Sequence, residues 1–146
     1  MTFQDYLDAT ARIAREEKDV LELLRARPFD KITLRAAKSS LQVLIENSIG
    51  KARKILQHYH CAVIPHESRD AFRILRDCEA IDEETAEALF SAVGFRNAMI
   101  HDYMHFDPKV LETLVQTRRY DAIYAFLTDP CRYSDLVRKR IENYTF

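Results

Sequence analysis

Apolar residues recur every three to four positions along almost the whole chain, which is the period of an amphipathic helix. Phe3, Tyr6, Leu7, Thr10, Ile13, Val20 and Leu24 follow it from a capping Thr2, with Asp5 in the first turn, to a stop before Pro28. Asp30 opens a long second helix. Leu34, Ala37, Leu41, Ile45, Ser48, Ala52, Ile55 and Tyr59 run down one of its faces, the pattern of a bundle helix. A loop through Pro65 leads to Ser68, read as the cap of a short third helix bearing Ala71, Phe72 and Leu75. Asp82 caps a fourth, with Glu83, Glu84 and Glu87 near its positive end. Asp107-Pro108 then starts a last long helix carrying Val110, Leu111, Leu114, Val115, Ile123 and Phe126. Pro130 ends it, and Ser134 caps a short basic tail helix. The pattern predicts an all-α antiparallel bundle of four to five helices. It forms a single domain over 1–146, with a short basic extension from about 131.

Composition agrees with helices. Two glycines and four prolines among 146 residues are too few turn formers for a sandwich or barrel, which needs a turn every ~8–12 residues. With 22 Lys and Arg against 23 Asp and Glu the formal charge is −1, so a polyanion must be held by a local patch and not by a global field. No apolar run approaches the ~18 residues of a spanning helix, and the acidic start, with Asp5 and Asp8, is unlike a signal peptide. Cys61, Cys78 and Cys131 are odd in number and form no C-x-x-C, which fits a reducing, cytoplasmic setting.

The fourth helix breaks the pattern. At 100° per residue, an arc of roughly 160° holds Ala86, Leu89, Phe90, Val93, Ile100 and Met104, and with them Arg96, Asn97, His101 and Tyr103. Polar groups in so apolar a stripe are costly unless they find partners, a cleft or a second subunit. One reading has Asn97 and His101 bonding neighbouring helices while Arg96 pairs with an acid. The other makes Arg96 and His101 a phosphate site, a fixed cation beside a proton carrier that titrates near neutrality. Five residues apart, their side chains diverge by about 140° on one helix, so two copies about a two-fold axis would be needed to converge them.

The run Arg96-Asn97-Ala98-Met99-Ile100-His101-Asp102-Tyr103 resembles the R-x4-H-x-Y motif of the HepT toxins, in the HEPN superfamily of small helical ribonucleases. Ile64-Pro65 followed by Ser68-Arg69-Asp70-Ala71-Phe72 and Leu75 is similar to the segment which that family places between its long second helix and its motif helix. The resemblance implies a homodimeric, metal-independent endoribonuclease that needs no cofactor of its own. It also implies a partner, an MntA-type minimal nucleotidyltransferase antitoxin, which uses ATP to place AMP on the motif tyrosine, here Tyr103. RNA brings its own nucleophile, the 2′-OH. A base, an acid and a cation for the crowded phosphorane therefore suffice, leaving a 2′,3′-cyclic phosphate. His101 would serve as base or acid, Arg96 would grip the non-bridging oxygens, and Asn97 would orient phosphate or imidazole. Transfer RNA and messenger RNA both remain open as substrate. The alternative is a non-catalytic helical module that presents a substrate or nucleotide to a nucleotidyltransferase.

Other features carry less. His58, His60, Cys61 and His66 include metal-ligand types at a spacing that fits no zinc pattern. Lys51, Arg53 and Lys54 read as a solvated face, with an RNA track as the lesser option. Arg132, Arg138, Lys139 and Arg140 read equally as a solvated tail or as an RNA or partner contact. Glu46, beside the core face of the second helix, is read as pairing with a basic residue and assigned no chemistry.

Overall fold

The computed structural model describes residues 1–102 and 105–145, and among them every regular element is a helix. In chain order these are α1 (Phe3–Arg25), α2 (Lys31–His58), α3 (Ser68–Asp77), α4 (Glu83–His101), α5 (Pro108–Gln116), α6 (Asp121–Thr128) and α7 (Asp135–Glu142). Side-chain caps set most of the starts. Thr2 and Asp5 form a reciprocal capping box on α1, with bonds of 3.0 and 3.1 Å. Asp30, Asp82, Asp107 and Ser134 each accept a backbone N–H of the helix that follows. Ser68 does not cap α3. It is the first helical residue, and Glu67 holds the cap position without a side-chain bond.

The expected last long helix is two helices. α5 ends where Arg118 turns to a φ of 52°, its N–H donating to Val115 at 3.2 Å while Arg119 N–H donates to Leu114 at 3.0 Å. That double closure is a Schellman motif. The same motif ends α2 at His60 (φ 59°) and α3 at Glu79 (φ 61°). Glycine occupies none of these left-handed positions, so each stop costs roughly 1–2 kcal/mol of local strain. Side-chain ties hold two of them. Arg118 grips both carboxylate oxygens of Glu22 at 2.8 and 3.1 Å, fixing the α5–α6 corner to α1, and Arg140 reaches Glu79 at 2.8 Å.

α2 is the central rod and packs against α1, α3, α4, α5 and α6. Ala37, Leu41, Ile45, Ser48, Ala52 and Ile55 are buried along it as the spacing predicts. On α1 the buried residue is Leu21 and not Val20, which is exposed. Lys51 departs furthest from expectation. It is fully buried, with Nζ donating to the carbonyls of Phe126 at 2.6 Å and Asp129 at 2.8 Å and lying over the Phe126 ring. Instead of lining a solvated face it satisfies carbonyls at the end of α6. Burial pushes its pKa down, partly opposed by the charges of Cys131 and Asp129. No described helix is long and apolar enough to cross a membrane.

Candidate functional site

The motif helix packs against α2, α3 and α6, and its buried face sits further round than the sequence predicts. Ala86, Leu89, Ala92, Val93 and Met99 are buried, whereas Ile100 is 45% exposed. On a regular helix these positions centre close to Arg96, so Arg96 sits on the inward side of α4. Phe90, Asn97 and His101 lie along one open edge, and Ile100 is exposed in the last turn of the helix. Met104 and Tyr103, the expected modification site, lie outside the described residues.

Arg96 cannot enter the core as a bare charge, and it has partners. Its Nη1 donates to Glu46 Oε1 on α2 at 2.9 Å, while Nε and Nη2 both donate to Asn97 Oδ1, at 3.3 and 3.0 Å. The Arg96 side chain is 20% exposed and that of Glu46 45%, so the pair bridges the α2–α4 seam at the edge of solvent. A guanidinium carries five N–H groups, and three are spent here. Among the described residues the other two have no acceptor, which suits an anion arriving from outside. Glu46 pairs with a basic residue as the sequence suggests, though that reading assigned it no chemistry and named no partner. Its signal was a carboxylate set between core positions Ile45 and Ser48, but its partner lies 50 residues away and no local spacing announces it.

His101 is the last residue of α4 and is exposed. No described residue hydrogen-bonds its imidazole. Just beyond it, Asp102 and His105 meet through Oδ1 and Nδ1 at 3.1 Å, both exposed. One chain thus joins Arg96 to Asn97 and leaves His101 apart from them, turned to a different sector of the same helix. The cavity of about 610 Å³ between α2, α4, α5 and α6 is not this site. It touches α4 through Ala88, Ser91, Ala92 and Phe95, on the far side from Asn97 and His101.

The other candidate features resolve into packing. His58 stacks on Phe3 with ring centres 3.9 Å apart, Cys61 is buried, and the His66 carbonyl accepts from Arg53. Among the described residues no group of three or more His, Cys, Asp or Glu gathers as a metal site. In the tail, Arg138 lies over Tyr59 and pairs with Asp135, and Arg140 is taken by Glu79.

The described fold is shared with known proteins. It superposes on a chain of the crystal structure of a toxin–antitoxin with AMP-PNP at a TM-score of 0.75 and 21% identity, covering 87% of this chain and 99% of that one. It also matches a cytosolic protein of unknown function, YutE from Bacillus subtilis, at a TM-score of 0.68 and 18% identity, covering 99% of this chain and 92% of that one. No curated protein matches the chain. The model of the HepT-like ribonuclease family matches residues 4–129, from the start of α1 through the end of α6 and including the whole Arg96–Tyr103 motif; the chain belongs to that family.

Proposed function

We propose that the chain is a toxin-type, metal-independent endoribonuclease whose working groups are Arg96, Asn97 and His101. The division of labour on α4 carries the reading: Arg96 is pinned by Glu46 and Asn97 with two N–H groups unbonded among the described residues, and His101, exposed at the end of the same helix, has no hydrogen-bond partner among them. A pinned cation suits the fixed charge of a phosphorane, and a free imidazole suits proton transfer. In the reaction the 2′-oxygen attacks phosphorus as its proton passes to a base, and the 5′-oxygen leaves with a proton from an acid. The products are a 2′,3′-cyclic phosphate and a 5′-hydroxyl. His101 fills one proton-transfer role and its copy in a second chain fills the other. Arg96 and Asn97 hold the non-bridging oxygens.

The site is completed by a homodimer. Arg96 and His101 face sectors of α4 about 140° apart, so one helix cannot turn both onto one phosphate. A second copy packed about a two-fold axis along the open edge would cover Ile100 and bring four groups to one cleft. The partner of the assembled toxin is a nucleotidyltransferase antitoxin of the MntA type, which uses ATP to adenylylate Tyr103. AMP there would add a bulky anion to the motif and compete with RNA by shape and charge. The fold shared with a toxin–antitoxin chain supports this partner class. Expression without the partner tests the proposal against a passive adaptor: the wild type should arrest growth and His101→Ala should not. Normal growth with well-expressed, folded wild-type protein would contradict it.

A further inference from the structure

Gly94 lies on the same edge of α4 as Asn97 and His101 and leaves an opening there. A Cβ placed on it would stand 3.0 Å from Nη2 of Arg69, so the guanidinium of this α3 arginine lies across α4 where the side chain is missing. Arg69 belongs to a row. With Arg73 and Arg76 it falls within about 60° of one face of α3. Arg76 sits over the Phe90 ring at 5.5 Å, one turn before Gly94 on that same α4 edge, so the row follows the edge toward His101. The three arginines differ in their partners. Arg76 meets Asp77 and Glu83, and Arg73 meets Asp70. Arg69 is exposed and has no acidic partner among the described residues, although it is the member of the row nearest the motif. From Gly94 to His101 is about 10 Å along the helix axis, which one or two nucleotides of an extended strand would span.

We propose that Arg69, seated across α4 at Gly94, binds an RNA phosphate flanking the one that is cut, and so sets the path of the strand over the α3–α4 seam. The inference rests on the ribonuclease reading for its ligand, but its test does not depend on cleavage. The probe is a single-stranded 2′-O-methyl oligoribonucleotide, which has no 2′-OH to attack with, and its binding is followed as salt is raised. Each phosphate neutralised on a single strand contributes about 0.7 to the slope of log K against log salt. Arg69→Gln should lower the slope by about that amount and weaken binding several-fold at low salt. Gly94→Leu, whose larger side chain would occupy the seat, should do the same by displacing the guanidinium. Arg73→Gln, whose cation is already paired, should bind as wild type. A wild-type slope in Arg69→Gln, or a wild-type chain that does not bind the probe, overturns the proposal. A folded Gly94→Leu chain that binds as wild type overturns the seat. A chain that cuts no RNA but keeps the Arg69-dependent slope refutes the ribonuclease reading and leaves this one standing.

Discussion

Replacing Glu46 with alanine separates two roles that its contact with Arg96 can have. As a brace, the carboxylate holds the guanidinium ready for phosphate. As a competitor, it occupies the cation until phosphate displaces it. The fold itself should barely register the change, because the pair is half wet, with 20% and 45% of the side chains exposed, and such pairs contribute roughly 0.2–1 kcal/mol. In a domain of this size that is a fall in Tm of at most about 5 °C. Activity should register more. A free arginine carries about 2 kcal/mol of rotamer entropy. Asn97 still holds Nε and Nη2 in the variant, so the substrate must supply about half of the ordering, roughly 1 kcal/mol or fivefold in kcat/KM. The assay is cleavage of a doubly labelled RNA oligonucleotide, with thermal melting in parallel. On an Arg96→Ala background the same substitution should have no further effect, because the two residues act through one contact. Cleavage at or above the wild-type rate in Glu46→Ala would refute the brace.

Lys51→Met keeps the stem but leaves the Asp129 carbonyl with only a weak thiol donor, Cys131 Sγ at 3.5 Å, and Phe126 with its bond from Asp129 N–H, so chemical denaturation should show a loss of about 1–3 kcal/mol. A variant as stable as wild type would mean that burying the ammonium costs as much as its hydrogen bonds return. Burial, reinforced by Cys61 and Asp77, raises the Cys78 thiol from 9.0 to about 11. The folded state then holds the proton across that window while the unfolded state loses it, so stability falls as pH rises from 9 to 11, by about 2–3 kcal/mol. Cys131 acts in the same direction and Lys51 in the opposite one. The prediction is therefore read as the difference between wild type and Cys78→Ala, which should shrink over that range. Tyr103→Phe should keep cleaving RNA yet gain no mass with antitoxin and ATP, where the wild type gains AMP; equal modification of both would place the acceptor elsewhere.

The helix starts were legible because their signals are local: Thr2, Asp30, Asp82, Asp107 and Ser134 each bond an N–H a few residues ahead. The stops were harder to read. His60, Glu79 and Arg118 take the left-handed conformation that glycine usually announces, and missing the last of them merged α5 with α6. At the site, the motif was visible on α4, but the direction it faces depends on packing. Counting Phe90 with the apolar residues shifted the predicted stripe away from the true buried face, which turns toward Ala92 and Met99 and draws Arg96 inward. The same limit hid the roles of Lys51 and Arg69 and left the partner of Glu46 unnamed. Each is a charged residue whose meaning comes from a partner on another helix, at Phe126, Gly94 and Arg96 respectively, and helical periodicity carries no information about that.

The central claim is that Arg96 and His101 form a metal-independent RNA-cleaving centre. Its most direct measurement is cleavage of labelled RNA by purified protein in excess chelator, with the product ends identified, for wild type and His101→Ala side by side. The account predicts 2′,3′-cyclic phosphate ends from the wild type and no cleavage above background from His101→Ala with an unchanged melting curve. Equal cleavage by both proteins, with the same product ends and after contaminating nuclease is excluded, would contradict it.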